Sequence, residues 1–194
     1  MQLTTILTSS LLLLLPAVVS AWSCLSDADA QDIVDKSIIF LQHRNITQAR
    51  EVATELFSPD IVQYGDSINI LRADPLGTPV YENATAYIEG TLAAPGIPNI
   101  TTIAIIHDCN SLVFFWQFEG IGGPNAPVKN RVRGMTYQQM DDNNKVIQHD
   151  VEFNSYAWAE NTGFQISYPE TGTYAQPEEP PAKVRRSPRG ARMG

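Results

Sequence analysis

Leu112-Val113-Phe114-Phe115-Trp116 is the stretch whose reading decides the fold. It is apolar at even and odd positions alike, so the strand it forms has no face suited to water. Such a strand belongs inside a sheet, with helices over one side and a second cover, such as a partner subunit, over the other. The flanking sequence continues the pattern. Thr102 to Cys109 reads as the preceding strand, joined to Leu112–Phe118 by a tight turn at Asp108 to Ser111. Past a loop at Gly120 to Pro127, Val128 to Met140 and Lys145 to Trp158 read as two long strands around the polar turn Asp141 to Asn144.

The half before this meander reads mainly as helix. Ser26 with Asp29 forms a capping-box variant, and Val34, Ile38 and Leu41 then recur at i, i+4 and i+7 up to about Asn45. A second helix spans about Thr47 to Phe57 and stops at Ser58-Pro59, because a residue before proline avoids the helical region. The period then changes to two. Val62, Tyr64, Asp66, Ile68 and Ile70 share one face of a strand, with Gln63, Gly65, Ser67 and Asn69 on the other. After the turn Asp74-Pro75-Leu76-Gly77, Thr78-Pro79 reads as the N-cap and first residue of a third helix. Its stripe is Val80, Ala84, Tyr87 and Ile88.

Composition sets the setting. Leu11 to Leu15 followed by Pro16 and Val19-Ser20-Ala21 is a cleavable signal-peptide pattern over residues 1–21, too short to span a bilayer. In an oxidising compartment the only two cysteines, Cys24 and Cys109, are expected to pair. Asn45, Asn83 and Asn99 each begin an Asn-x-Thr sequon, so a glycoprotein is expected. Net charge is −8, yet five basic residues against two glutamates make residues 177–194 carry +3, leaving −11 on the rest. An acidic body argues against nucleic acid and membrane as partners. The Pro-, Glu- and Arg-rich segment 171–194 has little to bury and reads as a disordered tail. Residues 22–170 remain for one domain with one core.

Helix, helix, strand, helix and then an antiparallel meander resembles the nuclear-transport-factor-2-like superfamily, in its SnoaL-like, secreted fungal-type branch. Leu56-Phe57-Ser58-Pro59-Asp60-Ile61-Val62 is similar to the family's passage from second helix to first strand, and Gly77-Thr78-Pro79 to a later helix start. The resemblance covers residues 26–160. It implies an α+β fold, a cone-shaped barrel with three N-terminal helices packed on a curved antiparallel sheet. It also implies a pocket between them. The superfamily includes ketosteroid isomerases, scytalone dehydratase, polyketide cyclases and non-catalytic binders, so the fold alone assigns no activity.

Within that frame the chemistry-bearing residues are few. Asp66 and Tyr64 fall on the face of Val62 and Ile68, where the isomerases of the superfamily place a catalytic carboxylate. His149 shares an apolar face with Ile147, Val151 and Phe153 and is either a satisfied core residue or a pocket base. Together Asp66, His149 and Tyr64 form the candidate catalytic set. Trp116, Arg131 and Tyr137 form the candidate ligand-binding set. His107 and His43 read as structural, the latter as a helix cap. No metal-ligand spacing, G-x-S-x-G elbow, phosphate loop or dinucleotide fingerprint occurs, so no cofactor or metal is expected.

Two functions are consistent with these residues. One is a secreted, non-catalytic pocket or interaction module that binds a small apolar molecule, with a second copy against its sheet. The other is a cofactor-free dehydratase, isomerase or cyclase acting on an apolar secondary metabolite.

Overall fold

The structure, a computed structural model, describes residues 24–122, 126 and 129–165. The leader expected over 1–21 and the tail over 171–194 lie outside them. Helix α1 (Asp27–Gln42) starts where the sequence placed it. Ser26 Oγ accepts from the Asp29 amide at 3.2 Å, and the Asp29 carboxylate accepts from the Ser26 amide at 3.0 Å. Helix α2 (Ile46–Leu56) runs straight into strand β1 (Phe57–Tyr64). Pro59 is tolerated there because it lies where the ladder to the neighbouring strand shifts register between Phe57 and Val62.

Next come α3 (Asp66–Arg72), β2 (Pro79–Tyr81) and α4 (Ala84–Ala93). The meander follows as β3 (Thr101–His107), β4 (Ser111–Phe118), β5 (Val132–Met140) and β6 (Val146–Phe153), and α5 (Ser155–Asn161) closes the described fold. The six strands form one open sheet in the order β2-β1-β6-β5-β4-β3. The meander is antiparallel as expected, while β1 joins β6 in parallel, so the sheet is mixed. This is the expected α+β architecture, with a hollow between helices and sheet.

Three boundaries depart from the sequence reading. The alternation of residues 62–70 does not continue as a strand. Beyond Gly65 the chain turns into α3, because the Glu152 carboxylate accepts from the Asp66 and Ser67 amides at 2.8 and 3.2 Å. Those are two of the orphan donors that a helix start must satisfy. Pro79–Tyr81 pairs with the open edge of β1 instead of starting a helix, and Asn83, not Thr78, caps α4 through its side-chain oxygen. The last strand ends at Phe153, and Asn154 caps α5 by accepting from the Ala157 amide at 3.1 Å.

The core lies between the inner face of the sheet and α1, α2 and α4. Phe40 meets Phe57 and Tyr87 edge-on, each with ring centroids 5.3 Å apart, and Ile61, Phe114, Val132 and Val146 are fully enclosed. Burying each of these side chains contributes on the order of 1.5–3 kcal/mol. In β4 burial alternates strictly: Leu112, Phe114, Trp116 and Phe118 point inward, and Val113 and Phe115 outward. Ile106, 63 % exposed, pairs with Val113 on that outer face, and Met135, 47 % exposed, pairs with Phe115. This is the face to which the sequence reading assigned a second copy.

The Cys24–Cys109 disulfide is present and closes a loop of 85 residues. A crosslink of that span is worth about 4 kcal/mol. It is reinforced by the Leu25 amide donating to the Cys109 carbonyl at 3.1 Å and by His107 Nε2 with Asp27 at 2.8 Å. Together these pin the start of α1 to the β3–β4 turn. Among the described residues, no helix is long and apolar enough to cross a membrane.

Candidate functional site

A cavity of about 780 Å³ opens between the inner face of the sheet and α3, α4 and α5. Its walls are mostly apolar and aromatic: Ile68 and Leu71 from α3, Tyr81 from β2, Trp116 from β4, Phe153 from β6 and Trp158 from α5. The aromatic members pack on one another, with Trp116 centroids 6.1 Å from Phe153 and Phe153 5.1 Å from Trp158. Trp116 is further held by donating Nε1–H to Thr136 Oγ1 at 2.9 Å. Gly134 makes room for that ring, since a Cβ there would sit 2.6 Å from it.

The mouth is formed by the α4–β3 connection, Ala94 to Pro98, and by Gly120 to Gly122. His43, the C-cap of α1, bridges to that connection. Its Nδ1 lies 3.3 Å from the Phe40 carbonyl and its Nε2 lies 2.9 Å from the Ala94 carbonyl. The expected capping role of His43 thus extends to docking the end of α4 on α1.

The floor is polar. Gln63, Tyr87 and His149 all line the cavity, and none is more than 4 % exposed. Burial pushes the His149 ring down to about 3, so it is neutral at ordinary pH. Burial, with the neighbouring Tyr81, pushes the Tyr87 hydroxyl up, so it keeps its proton. Gln63 Oε1 and Tyr87 Oη have no hydrogen-bond partner among the described residues. Among the described lining residues there is no Asp or Glu, and Arg72 is the permanent charge. Its guanidinium sits 5.4 Å over the Tyr81 ring and its Nε meets Asp74 at 2.9 Å.

The structure therefore separates the expected site residues. His149 and Trp116 line the cavity, but Asp66 does not. The Asp66 side chain is exposed and accepts from the Gly77 amide at 2.7 Å, steadying the turn after α3. Tyr64 is 37 % exposed and pairs with Asp150 on the outward side of β1, because Ile61 and Gln63 take the inward positions. Arg131 lies outside the cavity, exposed, with its Nε 2.9 Å from Glu119. Tyr137 lies opposite Val113 and Asp150 on the outer face of the sheet. Gln63, Tyr87 and Gln138 were not singled out as polar site residues. Alternation placed Gln63 correctly opposite Tyr64, but nothing in the chain says which of two faces looks inward. Among the described residues no cluster of His, Cys, Asp or Glu could hold a metal.

The family model of the NTF2-like domain matches residues 23–165. This chain belongs to the NTF2-like family. Solved structures similar to it include a candidate SnoaL-like polyketide cyclase from Jannaschia sp. CCS1, at 14% identity and TM-score 0.50, covering 70% of this chain and 95% of that one. A candidate isomerase from Bacillus subtilis is 13% identical with TM-score 0.52, covering 70% and 94% of the two chains. TsrD from Streptomyces laurentii is 12% identical with TM-score 0.52, covering 73% and 99%. At such identities these structures share the fold with this chain and carry no statement of activity. No curated protein matches the sequence.

Proposed function

We propose that this NTF2-like protein acts outside the cell as a non-catalytic receptor for a small, flat, largely apolar molecule. The observation that carries this reading is the make-up of the cavity: aromatic walls, a buried polar floor and no carboxylate among the described lining residues. Apolar enclosure with a few fixed polar groups is what small-molecule recognition requires. General acid–base chemistry needs a group that titrates near the working pH. His149 is held neutral down to about 3, and Asp66 faces Gly77 instead of the cavity. The cofactor-free dehydratase, isomerase or cyclase reading thus lacks its acid–base pair. The Cys24–Cys109 bridge and the leader pattern of residues 1–21 support the extracellular setting.

The test is binding of an apolar aromatic probe, 2-acetylnaphthalene, followed by quenching of Trp116 and Trp158 fluorescence. Saturable binding is expected, and Thr91→Trp, which puts a large ring into the cavity lining, is expected to weaken it by about tenfold or more, as a steric clash with the ligand would. Absence of binding, or binding indifferent to Thr91→Trp, would place the ligand elsewhere and end this reading.

A further inference from the structure

Three polar side chains stand abreast on the inner face of the sheet. Gln63 on β1 pairs with His149 on β6, which pairs with Gln138 on β5, and all three are at most 4 % exposed. Their hydrogen bonds run onward into α1 and can be followed proton by proton. Ser37, 1 % exposed, donates its hydroxyl to the Ile33 carbonyl at 2.8 Å. With its one hydrogen committed there, Ser37 Oγ can only accept, and Gln138 Nε2 donates to it at 3.1 Å. The Gln138 amide therefore turns its NH2 group, not its carbonyl, to this side, and its Oε1 is left without a partner among the described residues. The second hydrogen of that group meets His149 Nδ1 at 3.3 Å.

An N–H pointing at Nδ1 requires Nδ1 to be bare, so the imidazole proton sits on Nε2. His149 is part of the cavity lining, and with Nδ1 taken by Gln138 its Nε2–H is the donor the ring has left to offer there. Tyr87 stands beside it, ring centroids 5.4 Å apart. Resting on the receptor reading above, we infer that Ser37 and Gln138 are positioning residues that lock His149 as a neutral Nε2–H donor, and that the ligand is an uncharged apolar molecule whose carbonyl oxygen accepts from it. Arg72, the permanent charge of the described lining, is already engaged by Asp74 at 2.9 Å, so an anion would give up its water without a free counter-charge, and a cation would find no carboxylate among the described lining residues. A second proton on His149 would set N–H against the Gln138 N–H. A donor buried in this way rejects a ligand of the same shape that lacks the carbonyl, because the donor would then be left unpaired.

The test uses the folded chain and three probes of similar outline. They are 2-acetylnaphthalene, 2-isopropenylnaphthalene (C=CH2 in place of C=O) and 2-naphthoate. The ketone is expected to bind about tenfold or more tighter than the alkene, with naphthoate weakest. Ser37→Ala and Gln138→Met are expected to shrink the ketone-to-alkene ratio to about threefold or less, since the ring is then free to take either tautomer. Long-range 1H–15N correlation on the unmodified chain is expected to show Nε2 protonated and Nδ1 bare from about pH 5 to pH 8, and a tautomer mixture in Ser37→Ala. Should Gln138→Met fail to fold, the tautomer in the unmodified chain still decides. A protonated Nδ1, a ratio near one, or naphthoate as the tightest probe overturns this inference and leaves the receptor reading intact. No binding by any of the three overturns both.

Discussion

The Glu152 carboxylate, on β6, accepts from the Asp66 amide at 2.8 Å and so fastens the start of α3 to the sheet. The same carboxylate takes the Ser67 amide at 3.2 Å and the Ser67 hydroxyl. Because Ile68, Leu71 and Arg72 of α3 line the cavity, this cap also positions one wall of the site. Glu152→Ala is expected to cost about 1–2 kcal/mol, the usual worth of a helix N-cap. It should also weaken probe binding. Urea denaturation monitored by tryptophan fluorescence checks the first, and an unshifted midpoint would show that α3 is held by packing alone.

Burial of a neutral His149 ties stability to pH. Burial holds its ring down to about 3 in the fold, against the usual 6.5 of an exposed imidazole. Between those values the unfolded chain binds a proton that the folded chain excludes. Stability is therefore complete above about pH 6.5 and falls as pH drops toward 3, by up to about 1.4 kcal/mol per unit. His107 works in the other direction: its bond to Asp27 raises it, so its contribution is present below its unfolded value and fades as pH rises through the folded one. Its partner Asp27 is fully exposed, so screening keeps the effect small. Urea midpoints between about pH 7.5 and pH 4.5 should decline, and His149→Leu should flatten the decline. An equally steep decline in His149→Leu would move the cause to other groups.

All three sequon asparagines use their side-chain oxygen in the fold. Asn45 accepts from the Gln48 amide at 3.1 Å, Asn83 from the Ala86 amide at 2.9 Å and Asn99 from Arg44 at 3.3 Å. Glycosylation would use Nδ2 and leave those bonds in place. Asn83→Ala is expected to lose about 1 kcal/mol through the α4 cap, while Asn83→Asp keeps the cap and most of the stability. In secreted material both changes should remove the same glycan mass. Intact-mass measurement beside thermal denaturation separates the two roles, and equal destabilisation by Ala and Asp would remove Asn83 as the source of the capping energy.

Elements with strong local patterns were legible in the chain. The Ser26–Asp29 box set the start of α1, and the β3–β4 and β5–β6 turns lie where Asp108–Ser111 and Asp141–Asn144 placed them. The disulfide followed from two cysteines in an oxidising context. The site was less legible. Asp66 read as a pocket acid because residues 62–70 alternate, and a helical start of seven residues has too few turns to break that pattern convincingly. Arg131 and Tyr137 were assigned to the ligand, yet Thr136 and Gln138 hold the inward positions of β5.

Periodicity, caps and turn residues are local, so the chain alone determined the class of fold, the order of most elements and the residues able to share a face. Which face looks inward depends on what packs against it, and that is a relation between segments far apart in sequence. Glu152 reaching Asp66 across 86 residues, and Ser37 reaching Gln138 across 101, exist only once helix and sheet have met. Those long-range hydrogen bonds, and the burial that makes them necessary, decided where the cavity lies and which protons face it.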